Sequence, residues 1–331
     1  MAKRTGYVYD DIFLDHELDR GHPESPFRLA ALHAVVSESG LLDRLTCLPP
    51  LSDDALITGW IGHVHTPEHI QGVLGTGTTG TVAVRAVGAV LAAVDAVAGN
   101  ERLVDNAFCA IRPPGHHVHN NVNKDGYGQG EGFCFFNNVA IGTRYAQQQY
   151  GLGNILIIDW DYHHGNGTED AFFSDPTVFY FSTHRLNDYP GTGYPQRIGD
   201  CAGKGYNLNV PLPSSGDAFG SVTDDDLLAA FDRYLLPQLD RTGFVPDMIF
   251  ISAGFDSREN DYLGNFSITD DGFSAITRRV MTLAEKACDG RIVSVLEGGY
   301  NPEGLALATC AHLHALMEAT EKYASPWQRH G

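Results

Sequence analysis

Four short apolar runs in this chain each lead into a glycine-bearing loop crowded with polar side chains. Residues 108–111 lead into Arg112-Pro113-Pro114-Gly115-His116-His117, and residues 155–158 into Asp159-Trp160-Asp161-Tyr162-His163-His164-Gly165. Residues 248–251 lead into Ala253-Gly254-Phe255-Asp256-Ser257, and residues 292–296 into Glu297-Gly298-Gly299-Tyr300-Asn301. Runs of this length, rich in β-branched residues, read as buried strands; residues 178–181 form a fifth. Helical spacing lies between them, at residues 84–97, at Phe273, Ile276, Val280, Leu283 and Ala287, and at residues 305–317. Strands alternating with helices predict an α/β fold whose parallel sheet is covered on both faces. In such sheets ligands bind beyond the carboxyl ends of the strands. The four loops are therefore expected to meet at one edge.

At 331 residues and 43% apolar composition the chain can bury a large core, and one domain spanning residues 1–331 is expected. No uninterrupted apolar run reaches membrane-spanning length. The start, MAKRTGYVYDD, turns acidic before an apolar stretch can form, which reads as no secretory signal and a cytoplasmic protein. The six cysteines are scattered without a C-x-x-C pair, which reads as reduced residues rather than a zinc finger or disulfide framework. A net charge of −19 disfavours direct nucleic-acid binding. It would attract cationic partners, although it also serves plain solubility.

Asp161 and His163 lie two residues apart at a strand end, so both point to the same side, and both suit a metal. The bland alternative is an ion-paired strand terminus. Asp256 ends another apolar run and completes two carboxylates and an imidazole, leaving a coordination position open as catalytic sites require. His116 and His117 sit on a turn stiffened by two prolines. An imidazole can move protons near neutrality, with Asp159 and Asn166 as natural partners, although a histidine pair alone is as readily structural. Tyr300 follows paired glycines and can point a hydroxyl donor into the site or simply pack in a turn. Phe133, in Gly132-Phe133-Cys134-Phe135-Phe136-Asn137-Asn138, can wall an apolar channel or fill core, and Asn137 or Asn138 can cap the next helix.

Together with His22-Pro23-Glu24-Ser25-Pro26-Phe27-Arg28, these motifs occur in the order found in the zinc-dependent histone deacetylases, which the chain resembles from about Gly6 to Met317. The wording looks closer to class II members, and the resemblance extends to bacterial deacetylases and acetylpolyamine amidohydrolases. It implies the arginase/deacetylase fold, with a central parallel sheet of about eight strands. It implies zinc on Asp161, His163 and Asp256, His117 as general base and acid, His116 as its electrostatic partner, and Tyr300 polarising the acyl carbonyl. Phe133 and Tyr189 match the walls of an acyl-lysine tunnel, and the Gly132 carbonyl matches an acceptor for the substrate amide. Asp159 and Ser182 match a potassium site, and Arg28 is placed loosely at an acetate-release region. The expected reaction is hydrolysis of an acetylated lysine, in a protein or peptide, by metal-activated water. An acetylpolyamine is the alternative substrate, Fe(II) could replace zinc, and a homo-oligomer is compatible with the sequence. A non-catalytic acyl-lysine binding module is less favoured, because the ligands, the histidine pair and Tyr300 are all present.

Some positions depart from the family pattern. Tyr162 stands where many relatives carry a small aliphatic residue, and strand alternation predicts that it points away from the metal and alters packing beneath the site. Residues 118–131 form a longer segment than expected and are placed at the rim. Residues 75–83 lack an acidic residue used to grip peptide backbone; Asp15, Asp19 or Asp125 could substitute. Leu263 replaces the acidic gatekeeper of polyamine-selective relatives. Gly165 stands where the two-metal ureohydrolases, which share the fold, need a further aspartate.

Overall fold

The computed structural model describes residues 2–120, 130–212 and 221–319. Its strands are β1 (Thr5–Val8), β2 (Thr46–Leu48), β3 (Asn106–Cys109), β4 (Ile155–Asp159), β5 (Val178–Arg185), β6 (Asn207–Leu212), β7 (Met248–Ala253) and β8 (Ile292–Leu296). They form one sheet in the order β2-β1-β3-β8-β7-β4-β5-β6. Every pairing is parallel. The four strands that feed the glycine-bearing loops are thus adjacent at its centre, β3-β8-β7-β4. All their residues are buried, which explains why they read as continuous apolar runs without alternation.

The helices are α1 (Pro26–Glu38), α2 (Asp54–Ile61), α3 (Pro67–Leu74), α4 (Thr78–Ala98), α5 (Asn138–Tyr150), α6 (Asn166–Phe172), α7 (Asp224–Ala230), α8 (Leu236–Thr242), α9 (Asp270–Cys288) and α10 (Pro302–Met317). A π-helical turn, Phe231–Leu235, joins α7 to α8. α1, α10, α9 and α7 pack in succession in one layer, and α4 packs with α2, α3 and α5 in the other. β7 touches α9 and α5, and β1 touches α10 and α4, so helices cover both faces. α4 is long and apolar enough to cross a membrane by length and composition, but 72% of its apolar window is buried inside the protein.

Caps fix the helices that border the site. Asn137 accepts from the Ala140 N–H to start α5, and Asn301, followed by Pro302, accepts from the Gly304 N–H to start α10. β1, β2 and β6 gave no strand signal in sequence. β2 is a largely exposed edge strand of three residues. β6, on the other edge, contains Pro211, which an edge strand tolerates, and two asparagines, Asn207 and Asn209, whose side chains donate to the buried Glu169. β3 begins two residues earlier than its apolar run because the Asn106 amide is satisfied by the Leu316 carbonyl at 3.0 Å. All six cysteines are free, but Cys47 and Cys201 are exposed rather than core residues.

His312 on α10 lies fully buried beneath the sheet. The Thr277 hydroxyl donates to the Phe273 carbonyl at 2.6 Å, so His312 Nδ1–H donates to Thr277 at 2.7 Å. Nε2 then accepts from the Ser294 hydroxyl at 2.9 Å. Both ring nitrogens are satisfied by the neutral form, and burial holds the pKa down at about 3. Above the unfolded-state value of about 6.5 neither state binds the proton; below it the unfolded chain does so first. Stability should therefore fall with pH in that window, by up to about 1.4 kcal/mol per unit from this residue. Urea unfolding at about pH 7 and about pH 5 should show a smaller acid loss for His312→Gln than for the native chain; equal losses would refute this origin.

Candidate active site

The carboxyl ends of β3, β8, β7 and β4 deliver the polar loops to one place. Candidate ligand atoms of Asp161, His163 and Asp256 all lie within 4.8 Å of one another. The Nδ1 of His163 is 2.8 Å from Asp256 Oδ2 and 3.4 Å from Asp161 Oδ1. Backbone donors aim the carboxylates: Asp161 accepts from the N–H groups of His163 (2.9 Å) and Gly298 (2.8 Å), and Asp256 from that of Tyr162 (2.8 Å).

Charge and space both fit a cation here. Burial and the adjoining Asp161 carboxylate push Asp256 up to about 7, so the pair resists carrying two charges without a counter-ion. Against the same burial, His116 and His163 hold Asp161 below the usual carboxylate range. A Cβ on Gly254 would lie 2.0 Å from Asp161 Oδ2, and one on Gly298 2.4 Å from Asp256 Oδ2 and 2.6 Å from Asp161 Oδ2. Glycine at these two positions lets both carboxylates converge. The donor set, two carboxylates and one imidazole, suits zinc or Fe(II).

The two adjacent histidines have different partners. His116 Nδ1–H donates to Asp159 Oδ2 at 3.1 Å, and its Nε2 faces Asp161 at 3.8 Å. Burial opposes its charge, but Asp161 and Asp159 outweigh burial and hold it up at about 10. His117 Nδ1–H donates instead to the neutral Asn166 amide oxygen at 2.8 Å. Burial, with His116 and His163 close by, keeps His117 well below the usual imidazole range. Their surroundings thus drive the two imidazoles in opposite directions, His116 up and His117 down. Glu297 fixes the turn beneath them by accepting the Gly115 N–H at 2.7 Å and the His116 N–H at 3.2 Å. Burial pushes its carboxyl up to about 7. His65 supports the far side: its Nδ1–H donates to the His119 carbonyl at 3.1 Å and its Nε2 accepts the Asn137 N–H at 2.9 Å.

Tyr300 is buried between Phe133, edge-on at 6.0 Å, and the Arg28 guanidinium, 4.9 Å from its ring centre. Arg28 donates to the carbonyls of Gly299 and Glu297 and to Glu24. Glu24 also receives Arg112. The Tyr189 ring stands edge-on to His117 at 5.0 Å and to His163 at 6.3 Å. Gly132 brings the chain over the site, where a Cβ would lie 2.4 Å from the His117 ring and 2.9 Å from Tyr189. Its φ of +54° and that of Phe133, +68°, are left-handed. The Gly132 carbonyl accepts the Cys134 thiol at 3.4 Å. Asp159 and Ser182 are register partners on β4 and β5, with the Tyr180 hydroxyl donating to Asp159 and Ser182 bonded to His184. Leu263 is 39% exposed on the loop after Asp256.

Tyr162 is almost fully buried and belongs to the core. Its ring packs edge-on against His163 at 4.9 Å and Phe266 at 4.8 Å. Its hydroxyl then reaches the rim, donating to Asp188 (2.8 Å), with Asn265 at 3.1 Å. It ties the Tyr189 loop to the Leu263 loop. A side chain at Gly165 would fall on Asp159, its Cβ 2.2 Å from Oδ2, so the position has no room for the further aspartate of a two-metal site. Asp125 and most of residues 118–131 lie outside the described residues; His119, at their start, bridges Glu131 (2.6 Å) and Asp170 (2.9 Å). Sequence reasoning gave no role to Glu24, Tyr180, Asp261 or Glu297. Glu297 carried a usable signal, a carboxylate closing an apolar run as Asp159 does.

Comparison with known proteins agrees with this geometry. Residues 22–316 match the model of the histone deacetylase domain. A probable deacetylase of Archaeoglobus fulgidus is 36% identical over 317 residues, covering 91% of this chain and 82% of that protein. Histone deacetylase 14, chloroplastic, of Arabidopsis thaliana is 42% identical over 245 residues, covering 73% of this chain and 54% of that protein. The chain thus spans about half the length of such plant relatives. The crystal structure of the HDA15 HD domain superposes with a TM-score of 0.82 at 31% identity, over 95% of this chain and 89% of the other. The fold is accordingly the arginase/deacetylase fold, and the chain belongs to the histone deacetylase family of hydrolases.

Proposed function

We propose that this protein is a zinc-dependent amidohydrolase that removes acetyl groups from the ε-amine of lysine in proteins or peptides. The observation that carries the reading is the geometry: His117, its Nδ1 tied to the Asn166 amide oxygen at 2.8 Å, stands beside the converging ligand atoms of Asp161, His163 and Asp256. Asp161, His163 and Asp256 would hold a zinc ion, which when bound would supply Lewis acidity toward a water molecule and the amide carbonyl. His117, its Nδ1–H engaged by Asn166, presents Nε2 to take the proton from the attacking water and to return it to the departing amine. His116, paired with Asp159, adds fixed positive charge where negative charge develops. The Tyr300 hydroxyl donates to the carbonyl oxygen. Phe133 and Tyr189 exclude water from the flanks of the acyl-lysine stem. Acetate and a free amine leave.

Potassium is assigned to Asp159 and Ser182 on the family resemblance, supported by their register pairing on β4 and β5. One catalytic domain in the cytoplasm completes the reading. Leu263 at the rim favours a peptide, because an apolar side chain offers no charge to a second ammonium group. The −19 net charge favours the alternative, an acetylated polyamine. Parallel kinetics on an acetyl-lysine peptide and acetylputrescine, with Zn(II) and with Fe(II), should give the higher kcat/KM on the peptide; a strong preference for the amine would overturn that choice. Tyr300→Phe should lower kcat by roughly a hundredfold or more with a small change in KM, the signature of a donor used in the transition state. No turnover of any acyl-amine by the metal-loaded chain would instead favour a binding module.

The glycine cradle gives an independent test of the metal site. Gly298→Ala should keep the fold, as read by circular dichroism, while zinc content by elemental analysis falls well below one per chain. Full zinc retention would show that the two carboxylates need no such clearance.

A further inference from the structure

The loop between the metal ligand Asp256 and α9 carries a carboxylate whose contacts run in two directions. Oδ2 of Asp261 accepts the backbone N–H groups of Tyr300 at 2.7 Å and Asn301 at 3.1 Å. Oδ1 of the same carboxylate accepts those of Leu263 at 2.9 Å and Gly264 at 3.2 Å. The loop is itself anchored, with the Asp261 N–H donating to the Arg258 carbonyl at 3.3 Å and the Asn301 amide to the Asn260 carbonyl at 2.9 Å. Gly264 packs so closely on the Asp256 carbonyl that a Cβ there would lie 1.7 Å from it.

Tyr300 needs such an anchor. It follows Gly298 and Gly299, and Gly299 has a φ of +119°, a backbone state that only glycine adopts readily. A tyrosine at the end of a paired-glycine segment can pivot, whereas a hydroxyl donor must be held to within about 0.5 Å to serve a transition state. Ring contacts with Phe133 and Arg28 set the tilt of the side chain, and Arg28 also holds the preceding Gly299 carbonyl, but neither bonds the Tyr300 N–H that places its Cα. Two charge-assisted bonds to consecutive N–H groups fix that position.

We propose that Asp261 is the positioning residue for Tyr300, joining the Leu263 side of the substrate opening to the carbonyl-polarising donor through one carboxylate. The proposal rests on the deacetylase reading above. Removing Asp261 releases the Tyr300 backbone, so the hydroxyl is delivered less often to the acyl oxygen. The loss therefore falls on the step that polarises the carbonyl, not on substrate capture.

The test compares an acetyl-lysine peptide with its trifluoroacetyl counterpart, whose electron-poor carbonyl depends less on an external donor. Asp261→Ala should lower kcat on the acetyl peptide by roughly ten- to a hundredfold, with KM within about threefold. The penalty on the trifluoroacetyl peptide should be at least about fivefold smaller, and Tyr300→Phe should show the same pattern. Asp261→Asn, which keeps one acceptor oxygen, should fall between Asp261→Ala and the native chain, and it carries the same comparison if the alanine variant fails to fold. Equal penalties on both peptides, or a loss confined to KM, would overturn the proposal while leaving the deacetylase reading intact. Absence of turnover by the native chain on either peptide would remove that reading, and this one with it.

Discussion

The site depends on burying negative charge at the centre of a parallel sheet. Asp159, Asp161, Asp256 and Glu297 are all essentially inaccessible to solvent, and isolated carboxylates in that environment are untenable. The chain stabilises them by aiming backbone N–H groups at them. The donors come from Gly115, His116, Tyr162, His163 and Gly298, residues in the loops after β3, β4 and β8. Such donors are fixed by the fold and need no reorganisation when charge moves. What remains after these bonds is an excess of carboxylate facing His163, and a divalent cation is the natural complement.

Close approach imposes the second condition. The carboxylates can converge only where the facing residues lack side chains, so Gly254 and Gly298 follow from the geometry of Asp161 and Asp256, and Gly165 from that of Asp159. The same glycines that make room also loosen the backbone, and the loop after β8 meets this problem most directly. It places paired glycines beside the carboxylates and must still hold Tyr300 in register. Rigidity has to come from neighbouring segments, which Arg28 on α1 and the loop residues Phe133 and Asp261 supply from three directions.

The centre of the molecule was more legible than its edges for a physical reason. Central strands are buried on both faces and read as unbroken apolar runs, so β4, β7 and β8 and the chemistry after them stand out. Edge strands answer to solvent on one side and to local hydrogen bonds on the other. β6 carries Asn207 and Asn209 because Glu169 needs their amides, and no periodicity reveals that. The same division holds in the site. Residues with unusual chemistry at strand ends, Asp161, His163, Asp256 and the histidine pair, announce themselves. Glu24 and Asp261 do not, because their work is to receive donors from distant segments.

The two histidines show how little sequence need change to separate two roles. His116 and His117 are consecutive, share one buried turn, and have ring centres 4.0 Å apart. Two charged imidazoles at that distance would repel in a medium that screens poorly, so the environment must choose one. It does so through the partner of each Nδ1: a carboxylate on β4 for His116 and an amide at the start of α6 for His117. The charge on the first then helps to keep the second neutral. Asp161 and Asp159 together hold His116 up against burial, and the charge this favours works against charge on its neighbour His117.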